Sequence, residues 1–172
     1  MEPIDNVFSE QDEHFMRKAM QLAARAEEQG EVPVGAVLVK GGEIIAQGYN
    51  RSIIDHDATA HAEIQTLRQA GKVLENYRLL DTTLYVTLEP CPMCAGALLH
   101  SRVNRVVFGA SDLKAGAAGT VLNLFNSDAA FHYAEVQGGL LADECRAQLQ
   151  AFFKRRRKEI KALKQVKRDQ QE

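Results

Sequence analysis

Tryptophan is absent from the 172 residues, aromatic residues of all kinds make up 6%, and only four prolines and three cysteines occur. Three cysteines cannot all pair, so a small secreted fold built on disulfides is excluded, and the core must come mainly from aliphatic packing. Nor is there an apolar run near the ~18 residues that cross a bilayer. The N-terminus is acidic and polar, without the basic-then-apolar order of a secretory signal. The expectation is a cytosolic protein with no membrane partner. No repeat, low-complexity tract or linker divides the chain, so residues 1–172 read as one domain. A chain of this length can bury about 70% of the surface it would expose unfolded.

Charge of neither sign dominates, the net being −2, yet this balance is the sum of two unequal parts. Residues 154–168 hold nine Lys or Arg against one acid, +8, which leaves −10 for the rest. A basic segment on an acidic body points to local contact with a polyanion. The plainer reading is a solvated, frayed terminal helix, since charge runs are common at chain ends.

Ser9 precedes an apolar stripe at Phe15, Ala19, Leu22, Ala23 and Ala26, which predicts a helix over about 10–29 with Gly30 as its left-handed stop. Val34–Lys40 and Glu43–Tyr49 read as strands of a hairpin turning at Gly41-Gly42. A helix is expected from near Ala60 to Gly71, a strand at Thr83–Leu88, a short helix at Pro92–His100 and a strand at Val103–Gly109. A weaker strand near Tyr133–Gln137 and a long basic helix over about 141–168 follow. Alternation of the later strands with helices argues for parallel pairing there, beside an antiparallel hairpin.

Two stretches about thirty residues apart carry the chemistry: His61-Ala62-Glu63 and Pro90-Cys91-Pro92-Met93-Cys94. One imidazole and two thiolates suit zinc, and three protein ligands leave a tetrahedral ion one open position, as catalytic sites do. Each piece alone has a plainer reading. A histidine near a helix start is commonly a satisfied polar group, and C-x-x-C after a strand also serves thioredoxin-like dithiols. A structural zinc would need a fourth ligand from His14, His56, His100, His132 or Cys145, none of which has close pairing spacing. Cys145 lies among Leu141, Ala142, Leu149, Phe152 and Phe153 at helical spacing and reads as a core thiol.

H-x-E followed by P-C-x-x-C resembles the zinc-dependent nucleobase deaminases, for which that signature is described. Residues Thr59–Glu63 (T-A-H-A-E), Thr87–Ala97 (T-L-E-P-C-P-M-C-A-G-A) and Val106–Gly119 (V-V-F-G-A-S-D-L-K-A-G-A-A-G) are similar to the tRNA-specific adenosine deaminases among them. The similarity covers nearly the whole chain. It departs at Ala58, where the family often has proline, and at Ala115, where it often has threonine.

The resemblance implies an α/β fold, a three-layer α/β/α sandwich with a mixed, largely parallel five-stranded sheet. It implies one Zn2+ per subunit held by His61, Cys91 and Cys94, with Glu63 as the proton carrier for a zinc-activated water. On a regular helix residues 61 and 63 face nearly opposite ways at ~100° per residue, so the resemblance, not the spacing, brings them to one site. It implies that Asn50 hydrogen-bonds a flipped nucleotide and that Asp112 and Lys114 belong to an anticodon-contacting loop. By itself Asn50 reads as a strand-end turn residue. Phe152 and Phe153, at the start of the basic segment, are candidate surfaces for stacking unpaired bases. The function implied is conversion of adenosine to inosine at the wobble position of a tRNA anticodon stem-loop, with the bacterial arginine tRNA as substrate and a homodimer as the assembly. Two alternatives stand beside it. A free nucleobase or nucleoside deaminase shares the signature, and a non-enzymatic zinc-stabilised RNA-binding module would leave Glu63 unexplained.

Overall fold

The computed structural model describes residues 7–171. Helix α1 (Glu10–Glu28) opens on a reciprocal cap: Ser9 Oγ accepts from the Asp12 N–H, and the Asp12 carboxylate accepts from the Ser9 N–H. Two otherwise orphan donors are thereby satisfied. Strands β1 (Gly35–Lys40) and β2 (Glu43–Tyr49) form the expected hairpin. Gly41 and Gly42 both have positive φ, 60° and 78°, the left-handed pair that a two-residue turn between twisted strands requires. Then come α2 (Ala62–Leu74), β3 (Thr82–Leu88), α3 (Pro92–His100), β4 (Arg105–Ala110), β5 (Glu135–Gly138) and α4 (Ala142–Asp169).

The five strands lie in the order β2-β1-β3-β4-β5. β1 is antiparallel to both of its neighbours, whereas β3–β4 and β4–β5 are parallel. The sheet is therefore mixed, as expected, but divided evenly between the two senses. The reason is that β1 pairs with β3 as well as with its hairpin partner, a contact that no local pattern announces. Successive residues of β1 face opposite sides of the sheet. Ala36 and Leu38 join Leu67, Ala70, Leu98 and Leu99 of α2 and α3, while Val37 and Val39 join Phe15, Met16, Ala19 and Leu22 of α1. Cys145 of α4 is buried in the second cluster, so the element order produces three layers, α/β/α.

α2 starts later than expected and runs through Gly71 to Leu74, ending at Glu75 in the left-handed conformation, φ 51°. An interior glycine costs a helix only ~1 kcal/mol, and Leu74 recovers this by packing on the core. The connection from β4 to β5 carries a short 3-10 turn at Leu124–Asn126 that nothing in the sequence announces.

Asp12 does more than cap. Its carboxylate accepts from the Tyr85 hydroxyl at 2.6 Å and from Arg105 Nη1 and Nη2 at 2.8 and 3.0 Å, joining α1 to β3 and β4. Burial alone would raise its pKa, but hydrogen bonds from Arg105, Tyr85 and the Ser9 N–H hold it well below the usual carboxylate range. A depressed folded pKa gives stability that is present above the unfolded value of ~3.9 and is lost as pH falls through the folded value. Asp12→Ala is expected to cost about 3 kcal/mol, the low end for breaking a buried pair because Arg105 reaches solvent. It should also flatten the acid limb of stability against pH. Urea unfolding across a pH series reads both, and an unchanged midpoint near neutrality would show that the network adds no stability.

Candidate active site

β3 and β4 end, β1 begins, and α2 and α3 start at one end of the sheet. The site is assembled there. His61 is the N-cap of α2, in extended conformation with φ −73° and ψ 157°, and Cys91 is the N-cap of α3 with φ −75° and ψ 172°. Neither side chain caps its own helix, so both are free to turn inward. Pro92 opens α3 with its φ preset and no N–H to satisfy. Cys94 follows in the first turn, buried. His61 lies just outside its helix, not just inside it as expected. That difference answers the angular objection, since the 100° step holds only between residues with helical backbone.

The Nδ1 of His61 is 3.6 Å from Cys91 Sγ and 3.6 Å from Cys94 Sγ. All three ligand atoms lie within 4.8 Å of one another. A tetrahedral zinc with bonds of about 2.0 Å to nitrogen and 2.3 Å to sulfur separates those two atoms by roughly 3.6 Å. The donor set and its spacing therefore fit zinc. The hydrogen bond from the Cys94 thiol, with a further contribution from His61, lowers the Cys91 thiol to about 4, and the Cys94 thiol is raised correspondingly.

Glu63 lies in the first turn of α2, buried, and is not one of the clustered ligands. Burial pushes its carboxyl up to about 7. A group that can both take and give a proton near neutrality is what proton shuttling needs. Asn50, just after β2, spends its Oδ1 on the Ala62 N–H at 2.9 Å, replacing the cap that His61 does not supply. Asn50 also lines a cavity beside His61 and Glu63. That cavity, about 140 Å³, is lined by His61, Glu63 and Cys91 together with Glu89, Asp112, Val32, Val34 and Leu88. It is smaller than the ~300–1,000 Å³ usual for drug-sized ligands and suits a single base. A larger groove of about 710 Å³ runs between α2 and α3 past Arg68, Lys72, Tyr77 and His100, but none of the three metal ligands lines it.

The residues expected to touch RNA are divided by the structure. Asp112 lines the cavity, with its Oδ1 accepting from the Lys114 and Ala115 N–H groups at 3.0 and 3.1 Å. Lys114 is exposed on the same loop and does not line the cavity. Phe153 is partly exposed on α4, edge-on to the buried Phe152, and is not brought to the cavity. His14, His56 and His100 are exposed, and His132 is half-buried, bonded to the Val103 carbonyl.

Two further buried carboxylates are given no role by the sequence reading, although Glu89 is the acid of T-L-E-P-C. Glu31 Oε1 accepts from the Ile53 and Ile54 N–H groups, both at 2.8 Å, and so holds the loop that leads to His61. Glu89, beside Cys91, holds the loop after β4. The sequence carries a signal for each: an acid set directly against an apolar strand, where an exposed partner is not available.

Residues 9–110 match the model of the cytidine and deoxycytidylate deaminase zinc-binding region. The chain is 55% identical over 159 residues to the tRNA-specific adenosine deaminase of Haemophilus influenzae, covering 92% of each protein. It is 51% identical over 154 residues to that of Bacillus subtilis, covering 90% of this chain and 96% of the other. Among solved structures, one from a study of A-to-I editing by tRNA:A34 deaminases at the wobble position of transfer RNA superposes with TM-score 0.77 and 43% identity, over 79% of this chain and 99% of the other. With the zinc-ligand trio and the three-layer fold already in place, these likenesses settle the lineage: the chain belongs to the cytidine and deoxycytidylate deaminase family, among its tRNA-specific adenosine deaminases.

Proposed function

We propose that the protein converts adenosine to inosine at the wobble position of a tRNA anticodon, with arginine tRNA as the substrate. The observation that carries the reading is the clustering of the His61, Cys91 and Cys94 ligand atoms at a cavity sized for one base, which His61, Cys91 and buried Glu63 line. His61, Cys91 and Cys94 would hold a zinc ion, which when bound would lower the pKa of a water from 15.7 toward about 7. Glu63 carries the protons: it takes one from water as the oxygen adds at purine C6 and gives it to N1, then takes the second from the C6 hydroxyl and gives it to the exocyclic amine, which leaves as ammonia. The Asn50 side chain, which lines the same cavity, orients the base. A cytosolic location accompanies this substrate.

The placement of the basic helix supports an RNA substrate. α4 runs parallel to α1, in contacts that step from Arg17–Glu144 through Met20–Gln148 to Glu27–Arg155. α1 ends at Glu28, so the residues of α4 beyond Arg155 continue roughly 20 Å past it at 1.5 Å per residue. The chain leaving α1 at that end leads directly to Val32 and Val34 of the cavity wall. The basic extension thus projects at the end of the sheet that carries the site. Lys154, Arg157, Lys161, Lys164 and Arg168 follow the three-and-four spacing of a single helix face. We also propose a homodimer, built on the α2/α3 groove and the exposed Tyr77, Leu80 and Phe131 around it.

Arg155 is held by Glu27 and packs over Phe152, so it is left intact in the test. Lys154, Arg157, Lys161 and Lys164 changed together to Gln should weaken binding of an anticodon hairpin. The log–log salt slope should flatten by up to ~0.7 for each phosphate of single-stranded RNA that the variant no longer neutralises. The substrate itself is read by mass spectrometry of a tRNA pool before and after incubation, with free adenosine and cytidine as controls. Efficient deamination of free cytidine with no inosine in tRNA would remove the substrate assignment. An unaltered salt slope would remove only the basic helix.

A further inference from the structure

Glu89 stands between β3 and the cysteine segment, two residues before Cys91, and its side chain is almost wholly buried. A carboxylate there is costly unless donors surround it. It has four. Oε1 accepts from the Asp112 N–H at 3.1 Å and from the Thr120 hydroxyl, and Oε2 accepts from the Ala118 and Thr120 N–H groups at 3.0 and 3.1 Å. Every donor belongs to the loop that follows β4. The same loop is tied again to the cysteine segment by the Ala117 N–H, which donates to the Pro90 carbonyl at 2.8 Å. Gly116 completes the seat. A Cβ at that position would lie 2.6 Å from Glu89 Oε1 and 2.5 Å from the Asp112 carbonyl oxygen, so the carboxylate fills the space a side chain would need.

Glu89 lines the cavity but lies outside the ligand cluster, and with both oxygens engaged by the loop it takes no part in the proton transfers assigned to Glu63. We propose that it is a positioning residue for substrate recognition, which fixes residues 112–120 at the mouth of the cavity and so favours an RNA loop over a free nucleoside. The proposal rests on the RNA reading above. Reach separates the two substrates. A lone base occupies the 140 Å³ cavity and meets Asp112 at its wall, whereas an RNA hairpin also covers the outer part of the loop, where Leu113 and Lys114 are exposed. Anchoring that outer part contributes binding to the larger substrate and little to the bond changes at C6.

In Glu89→Gln, either orientation of the amide sets its NH2 against at least one backbone N–H, because each carboxylate oxygen accepts from one or more of them. KM for the anticodon hairpin is expected to rise about tenfold or more, the equivalent of one hydrogen bond to a charged group. Zinc content per chain should stay at the wild-type value, and kcat at saturating hairpin should change much less than KM. Thr120→Val removes a single donor and should shift KM in the same direction by a smaller factor. It decides the matter if Glu89→Gln does not fold. Unchanged hairpin KM in the folded variants, or a fall in kcat at constant KM, would overturn the positioning role. A wild-type protein that leaves the hairpin untouched would instead sink the RNA reading, so the two failures are told apart by the wild-type control.

Discussion

Glu63→Ala should retain one zinc per chain, the wild-type fold and hairpin affinity, while inosine formation falls by at least the ~10²–10⁴-fold attributed to general acid–base catalysis. The expectation follows from where the side chain lies. Glu63 shares the cavity with His61 and Cys91 but is not among the atoms clustered for a metal, so on the role proposed for it its removal takes away a proton carrier and no ligand. Its burial matters to the role, because the same desolvation that lifts its carboxyl to about 7 makes it an effective donor as well as an acceptor. Glu63→Gln separates the two properties: it keeps shape and hydrogen bonding but cannot shuttle a proton, and should be nearly as inactive as the alanine variant. Elemental analysis alongside single-turnover deamination gives the answer. Zinc lost from Glu63→Ala would make Glu63 a ligand and close the open coordination position.

Loss of the metal should be the other severe change. His61→Ala, Cys91→Ser or strong chelation is expected to abolish deamination and to lower stability. Zinc that binds only the folded chain stabilises it by about 4 kcal/mol when free metal stands at a thousand times Kd. The effect should be steeply dependent on pH. Metal-binding thiols and imidazole must be deprotonated, and here the Cys94 thiol and His61 both have raised pKa values, through the hydrogen bonds each shares with Cys91. Protons are therefore displaced as zinc enters, and affinity should fall as pH falls. Titration of zinc into the chelated protein with a pH indicator reads the release directly. Full zinc occupancy in a triple variant of His61, Cys91 and Cys94 would show that the metal binds elsewhere.

The elements most legible in the sequence are those with local causes. Ser9, the Gly41-Gly42 turn and Pro92 act within a few residues of themselves, and α1, the β1–β2 hairpin and α3 lie within a residue or so of where those signals place them. The second helix is less legible because its end is decided by packing. Gly71 reads as a stop, yet the contact of Leu74 with the core carries the helix past it. The candidate zinc ligands are legible for a chemical reason, since an imidazole in H-x-E and two thiols in P-C-x-x-C have few other uses in combination.

What the residues determined by themselves was the donor set, the presence of a carboxylate beside it, and a terminal segment of high positive charge, because each is a property of side-chain chemistry and short-range spacing. Their convergence was decided in three dimensions. The extended N-cap backbone at His61 and Cys91 turns an imidazole and a thiol toward each other across thirty residues of chain. The pairing of β1 with β3 brings Asn50 and Val34 to the end of the sheet where Cys91 lies. The parallel packing of α4 on α1 carries the basic segment to the same end. Glu31 and Glu89 show the limit most clearly: a buried carboxylate is recognised by the distant backbone N–H groups that surround it, and no spacing within the sequence encodes which loops will supply them.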